Sequence, residues 1–245
     1  DGEMEIYGIG HKDRGIFKAR RRMGAVVENP SVYLDMTAQE NLKEQYRILG
    51  MPSFSGIDEL LKLVGLEDTG KKKAKNFSLG MRQRLGIAVA LAGNPDFLIL
   101  DEPVNGLDPQ GIVEIRELIL KLNREKGITV LVSSHILDEL SKLATHFGFI
   151  DKGKIIKEMN ASALEAACRK CIKITVTDTK ILSGVLDEAG AEYSVLSDTQ
   201  AEIYGEIEIT ELALKLNTRR CRIQTITEHN ETLESFYINL VGGER

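Results

Sequence analysis

The apolar residues of the chain change their spacing several times, and each change predicts a new element. Met23 to Val27 is an apolar strand, and Phe97 to Leu100 is a continuous apolar run that is typical of a strand buried on both faces. Ile128 to Val132 is predicted to be a second strand of this buried kind. Gln110 to Lys126 shows the three-and-four spacing of an amphipathic helix that ends at Gly127. Strands that alternate with helices predict an α/β fold with a largely parallel sheet.

Residues 37 to 94 are predicted to be mostly helical. Thr37 is a predicted N-cap with Glu40 three residues later, which is the pattern of a capping box, and the helix runs to about Leu49. A second helix is predicted for Ile57 to Val64. Ser78 opens a third, which ends near residues 93–95, a Gly-Asn-Pro run of turn formers.

The pattern changes after about residue 160. Strand and helix signals there follow the order β-α-β-β-α-β with a final helix, which is typical of a ferredoxin-like unit. We therefore expect two domains, at residues 1–160 and 161–245, with the mostly helical segment 37–94 inside the first.

Composition narrows the class of protein. The 245 residues are 42% hydrophobic and 28% charged, as in ordinary globular proteins, and no apolar run approaches the ~18–20 residues that span a bilayer. The net charge of −5 argues against a general nucleic-acid binder. Three cysteines are too few for a disulfide framework, and the Cys168-x-x-Cys171 pair lacks a second ligand pair for zinc.

Two acidic residues follow the predicted strand at 97–100. Asp101 and Glu102 would lie at the carboxyl end of a parallel strand, where open α/β sheets bind ligands. One carboxylate there can hold Mg²⁺ through water, and the next can polarise an attacking water. The alternative is that both are helix caps or plain surface charge.

Three further signals are weak when each is taken alone. A serine-capped helix at Ser78 is a ready anion site, although most such helices bind nothing. His135 follows the strand at 128–132 and could serve only as a local hydrogen-bond partner. The run ending in Asp108 could be only a turn before a helix.

The order of these signals resembles the ATP-binding cassette (ABC) transporter family. The family signature corresponds to FSLGMRQRL in this chain. The Walker B strand with the D-loop corresponds to FLILDEPVNGLDP, and the switch histidine follows in VLVSSH. The resemblance covers residue 1 to about residue 158. It implies a P-loop NTPase-like core with a helical subdomain, and binding of ATP and Mg²⁺.

The resemblance also implies roles within one subunit. Asp101 would organise Mg²⁺, Glu102 would be the general base for water, and His135 would contact the γ-phosphate. Glu28 stands where the family usually has a glutamine that contacts metal and water, so this chain departs there. The loop at 28–42 is similar to that of bacitracin- and lantibiotic-type exporters.

Other roles would reach across a dimer of ATPase subunits, homo- or heterodimeric. Ser78, Gly80 and Met81 would approach the γ-phosphate held by the other subunit, and Asp108 would link the two sites. The signature departs from its usual form at Leu79 and Met81.

Three functions are consistent with this pattern of motifs. The first is a transport ATPase on the inner face of the membrane, coupled to transmembrane subunits through the loop from Asn29 to Met36. The second is a non-catalytic subunit that completes a partner's ATP site. A chromosome-maintenance ATPase is the third, and it ranks last because no sustained heptads occur.

Residues 1–245 contain no G-x-x-x-x-G-K-[ST] phosphate loop. In this family the loop follows an internal strand of the catalytic sheet. We therefore expect the chain to be part of a longer protein, with the loop about 25–40 residues before Asp1.

We expect the polypeptide of residues 1–245 by itself to bind ATP weakly and not to hydrolyse it. The phosphate loop supplies the backbone amides and the lysine that hold the phosphates, and none is present in these residues. Isothermal titration calorimetry with Mg·ATP measures this, with the full-length gene product as the control. A tight ATP complex of residues 1–245 would contradict the expectation.

Overall fold

The computed structural model describes residues 2–168, 170–205, 207–229 and 233–242. The chain folds into two compact units, Asp1–Leu143 and Ala144–Arg245. This division lies before the boundary expected after residue 160, and it assigns the hairpin at 146–160 to the second unit. The two-domain boundaries inferred from the sequence stay a prediction.

The first unit is built around a parallel sheet with the strand order β3-β4-β5. A short antiparallel hairpin, β1-β2, precedes it, and helices fill the connections. The elements are β1 (Glu5–Ile6), β2 (Ile9–Gly10), α1 (Ile16–Arg20), β3 (Met23–Val27), α2 (Ala38–Ile48), α3 (Ile57–Leu63), α4 (Leu79–Leu91), β4 (Phe97–Asp101), α5 (Pro109–Lys126), β5 (Thr129–Ser133) and α6 (Leu137–Ser141).

The register of the sheet brings the three strand ends to one level. Val27 pairs with Asp101, and Asp101 pairs with Ser133. The residues that follow these three positions therefore leave the sheet side by side at its carboxyl edge.

The core of this unit lies between the sheet and the helices α4 and α5. Leu98 and Leu100 of the central strand β4 are fully buried. They belong to one apolar cluster with buried residues of the two helices: Leu85, Ile87, Ala88 and Leu91 of α4, and Ile115, Leu118, Ile119 and Leu122 of α5.

Local signals fix the ends of the helices as predicted. Thr37 caps α2 with both hydrogen bonds of the capping box to Glu40. Ser78 caps α4, and Gly127 ends α5 in the left-handed conformation. In α2 the buried Asn41 side chain accepts from the Tyr33 N–H and donates to the Tyr33 carbonyl, so it holds the preceding loop.

Strand β5 is less buried than its apolar sequence predicts. No residue of β5 is fully buried, and 55% of Leu131 is exposed. In the part of the chain that the structure describes, β5 pairs only with β4, so one of its edges is open. The expectation of a strand buried on both faces is therefore wrong for this structure.

The second unit contains a hairpin and an antiparallel four-stranded sheet. The sheet has the strand order β11-β8-β10-β9 and the predicted β-α-β-β-α-β element order. The elements are β6 (His146–Asp151), β7 (Lys154–Asn160), α7 (Ala161–Ala167), β8 (Cys171–Val176), α8 (Thr179–Ala189), β9 (Glu192–Val195), β10 (Gln200–Tyr204), α9 (Ile209–Thr218), β11 (Ile223–His229) and α10 (Leu233–Gly242).

Two apolar contacts organise this second unit. The inner faces of β8 and β10 pack on α8 and α9 through Ile174, Ile203, Leu186 and Leu216. The ring of Phe149 in β6 packs edge-on against Phe236 of α10. Within the described ranges, no helix of either unit has both the length and the apolar character needed to cross a membrane.

Gly24 lets α4 approach the sheet closely, and this contact gives a stability prediction. An alanine Cβ at position 24 would lie 2.4 Å from the Ala90 carbonyl oxygen, which is backbone and cannot rotate away. We expect Gly24→Ala to lower the free energy of unfolding by about 1–3 kcal/mol, the usual cost of overpacking.

Urea denaturation followed by circular dichroism measures this change. Gly10→Ala is the matched control, because a Cβ at position 10 in β2 meets nothing within 4 Å. The control should differ from the wild type by about 0.5 kcal/mol or less. Equal destabilisation of both variants would contradict the close helix–sheet contact.

Candidate functional site

The carboxyl edge of the parallel sheet collects polar residues from three strands. Glu28 follows β3, Asp101 ends β4 with Glu102 next, and Ser133 ends β5. Because these strand ends lie at one level, the acids predicted from separate stretches of sequence are neighbours across the sheet. This is the position at which open parallel sheets bind ligands.

Ser133 ties the two central strands together. Its hydroxyl donates a hydrogen bond to Oδ1 of Asp101. The backbone N–H of Glu102 donates to the hydroxyl and to the carbonyl oxygen of Ser133, at 3.1 Å in each case. Sequence reasoning missed Ser133, although the Ser-Ser pair between the predicted strand at 128–132 and His135 is a signal for it.

Glu102 and His135 are in direct contact. His135 Nδ1 lies 2.8 Å from Glu102 Oε2, and Nδ1 is the donor because an ionised carboxylate only accepts. Glu102 is 23% exposed at its side chain and His135 is 65% exposed, so both are open to a ligand. The convergence of these two residues, expected from the order of the motifs, is thus observed.

Two of the acids at this edge adopt a backbone conformation that the sequence does not reveal. Glu28 has φ 52° and Glu102 has φ 48°, both in the left-handed region. For residues other than glycine this conformation is uncommon, and it clusters at ligand sites where the surrounding structure enforces it. Here the Glu102 N–H is held by Ser133, which fixes the turn after β4.

The signature region forms a second polar group, at the start of α4. The Ser78 hydroxyl accepts a hydrogen bond from the Met81 N–H at 3.2 Å, and Gly80 is half-buried. Leu79 is 39% exposed and lies against Gly106, where a Cβ would be 3.3 Å from Leu79 Cδ2. The tip of α4 therefore touches the loop that follows β4.

Asp108 closes that same loop. Its carboxylate accepts a hydrogen bond from the Gly111 N–H at 3.0 Å and so caps α5. Among the described residues, no hydrogen bond joins Ser78 or Asp108 to Glu102 or His135. The predicted site residues thus form two groups on the first unit.

The acids do not form a complete metal site by themselves. Over the described ranges, no cluster of three or more His, Cys, Asp or Glu could hold a metal ion. Magnesium commonly takes one or two carboxylates and completes its shell with water and substrate phosphates. An edge with a single well-oriented carboxylate, Asp101, fits that pattern.

Comparisons with known proteins identify the family of the chain. Residues 1–105 match the model of the ABC transporter family. The bacitracin transport ATP-binding protein BcrA of Bacillus licheniformis is 38% identical over 249 residues, which cover 99% of this chain and 80% of that protein. The lantibiotic transport ATP-binding protein SrtF of Streptococcus pyogenes is 50% identical over 138 residues, 56% of this chain and 59% of that protein.

Solved structures show the same fold. A dimeric structure of a post-hydrolysis state of the ATP-binding cassette MJ0796, bound to ADP and Pi, aligns with a TM-score of 0.57 at 28% identity. The alignment covers 66% of this chain and 74% of the MJ0796 chain. Together with the relatives, this likeness shows that the chain belongs to the ABC transporter family as an ATP-binding and ATP-hydrolysing subunit.

Proposed function

We propose that this subunit hydrolyses ATP to drive export of a peptide-like drug through partner membrane subunits, with Glu102 as the general base. The substrate class is supported by the relatives, which include bacitracin and lantibiotic transport proteins. The observation that carries the catalytic assignment is the contact of Glu102 with His135 at the carboxyl ends of β4 and β5.

Glu102 has the position and the free oxygen that a general base needs. Its Oε2 accepts from His135, and in the described part of the chain no hydrogen bond occupies Oε1. A water held by Oε1 would attack the γ-phosphorus, its proton would pass to Glu102, and the bond to the β-phosphate oxygen would break. A positioned acid or base of this kind typically contributes 10²–10⁴-fold to a rate.

His135 is proposed to act on the same phosphate. With both ring nitrogens protonated, Nδ1–H would donate to Glu102 and Nε2–H, on a side chain that is largely exposed, would donate to a γ-phosphate oxygen. One side chain would then orient the base and contact the group under attack. Catalysis by positioning and charge stabilisation is the general pattern of phosphoryl transfer.

Asp101 is the proposed carboxylate for Mg²⁺. Ser133 orients it through Oδ1, which leaves Oδ2 for a metal-bound water. When bound, the ion would neutralise charge on the β- and γ-phosphates. Glu28, at the end of the neighbouring strand β3, is proposed to accept from a metal-bound water, as a carboxylate can in place of an amide.

Ser78, Gly80 and Met81 are proposed to complete the ATP site of a second ATPase subunit. They lie at the exposed start of α4, where backbone N–H groups and the helix dipole favour a phosphate. Asp108 caps α5 at the end of the loop that touches α4. It is proposed to link the two ATP sites. A dimeric neighbour in a post-hydrolysis state supports this arrangement.

The membrane partner is proposed to bind the loop from Asn29 to Met36. Tyr33 and Leu34 in this loop are 51% and 46% exposed, and contiguous exposed apolar residues commonly mark protein contacts. The buried Asn41 holds the loop at Tyr33, so its apolar residues are presented on an ordered backbone. A subunit bound in this way would lie on the inner face of the membrane.

Replacement of the proposed base provides the direct test. In the full-length protein, Glu102→Gln is expected to lower hydrolysis about hundredfold or more, because the amide cannot take a proton from water. ATP should still bind, so an ATP-bound dimer should accumulate. Phosphate release measures the rate, and size-exclusion chromatography with ATP measures the dimer.

Glu117→Gln is the matched control, since Glu117 is exposed on α5 and belongs to neither polar group. It should hydrolyse ATP at the wild-type rate. A Glu102→Gln protein with unchanged hydrolysis would refute the assignment of the base. The same result would favour a non-catalytic subunit if the wild type were also inactive.

Removal of the Ser133 hydroxyl tests the orientation of Asp101. Residues that hydrogen-bond a metal ligand typically contribute 10–100-fold to metal affinity or activity. Ser133→Ala should therefore raise the Mg²⁺ concentration for half-maximal hydrolysis by about tenfold. Ser134→Ala is the control, because within the described residues its oxygen accepts a hydrogen bond from the Ile136 N–H and makes none to Asp101. Equal Mg²⁺ dependence of both variants would contradict the role of Ser133.

A further inference from the structure

The segment that carries His135 continues into an unusually short helix. Helix α6 has five residues, and no side chain caps its N-terminus. Helices of this length are not stable by themselves, because the first turn costs more conformational entropy than it returns in hydrogen bonds. The position of α6, and of His135 just before it, therefore depends on contacts with the rest of the unit.

One ion pair provides such a contact. Arg116 Nη1 on α5 lies 2.5 Å from Glu139 Oε2 on α6, and each side chain is only 18% exposed. Lys142 binds the other oxygen, Oε1, at 2.8 Å, but it belongs to the same segment as Glu139 and is 53% exposed. Hydrogen bonds from Lys142 and Arg116 lower the pKa of Glu139, so its carboxylate is charged at neutral pH.

The ion pair of Arg116 with Glu139 completes a closed series of contacts and chain segments that starts and ends at Glu102. Along the chain, the loop from Glu102 leads to Asp108, which caps α5, and α5 carries Arg116. From Arg116 the ion pair leads to Glu139, and α6 leads back four residues to His135. The hydrogen bond of His135 to Glu102 closes the series.

We propose that Arg116 and Glu139 are positioning residues that hold His135 against Glu102. The inference rests on the proposed function, because it gives the pair a part in the reaction assigned to that contact. The His135 side chain is 65% exposed, so its surroundings do not bury it in place. Its backbone must be fixed instead, and the pair holds the helix that begins two residues after it.

The pair suits this task better than an exposed ion pair. It is largely shielded from water, so it is less screened by salt than surface pairs. The guanidinium is planar and always charged, which makes the contact directional as well as attractive. It also joins two different elements, whereas the pair of Glu139 with Lys142 lies within one segment and cannot fix α6 on α5.

The test compares Arg116→Gln and Glu139→Gln with Lys142→Gln in the full-length protein. Lys142→Gln is the matched control, because it removes a partner of Glu139 and leaves the link to α5. Since misplacement of a catalytic group by about 1 Å can cost up to 10²-fold, we expect the first two variants to lower kcat about tenfold. Their KM for ATP should stay within about twofold of the wild type, and the control should match the wild type in both.

A spectroscopic signal separates positioning from a general loss of structure. The imidazole Cε1–H resonance of His135, assigned by its absence in His135→Gln, reports the surroundings of the ring. It should shift or broaden in Arg116→Gln and Glu139→Gln, and stay in place in Lys142→Gln. If a neutral variant does not fold, Glu139→Asp, which keeps the charge but shortens the reach, should shift the same resonance.

Either of two results would overturn the proposal. One is an unchanged His135 resonance in the folded Arg116→Gln and Glu139→Gln proteins, and the other is kinetics equal to those of Lys142→Gln. The resonance can be recorded without ATP and without hydrolysis. A failure of Glu102→Gln to lower activity would therefore refute the proposed base while leaving the positioning of His135 separately measurable.

Discussion

The parallel pairing of β3, β4 and β5 is the constraint on which the rest of the first unit depends. The pairing sets Val27, Asp101 and Ser133 side by side, and every proposed reacting group of this subunit lies at one of these positions or within two residues after it. If β4 slipped by one residue in this register, its side chains would change faces, and Asp101 would point to the opposite face of the sheet. The fully buried Leu98 and Leu100 oppose such a slip, because it would expose them.

Close packing of α4 holds the segments next to the sheet edge in place. Gly24 admits the backbone of α4 onto β3, and Gly86 of α4 admits Pro30, whose Cβ would lie 2.6 Å from an added Cβ. The start of the loop after β3 is thereby held between the sheet and α4. The same helix carries Ser78 and Gly80 at its exposed start. The residues proposed for two different ATP sites, at the sheet edge and at the start of α4, thus belong to elements that pack in the same core.

The sequence predicts the parts of this structure that local patterns encode. The capping box at Thr37, the Ser78 cap and the apolar strand before Asp101 follow from residue types at fixed spacings, and the structure has all three, although only one face of that strand is fully buried. The location of Glu102 and His135 at one edge of the sheet also follows from the sequence, because both come after strands of one parallel sheet, whereas their direct hydrogen bond does not. Features that depend on partners distant in the chain were not predictable: the open edge of β5, the left-handed φ of Glu28, and the pair of Arg116 with Glu139.

The separation of the two polar groups has a chemical consequence. Glu102 and His135 are proposed to activate water and to contact a phosphate, whereas Ser78 and Gly80 lie at the start of a different element and make no hydrogen bond to them within the described residues. The proposed function therefore assigns the signature that meets a γ-phosphate at Glu102 to a second subunit. In that arrangement each unit offers its base to one nucleotide and its α4 tip to another. The loop from Glu102 to Asp108, which touches Leu79 at Gly106, is the shortest covalent path between the two groups.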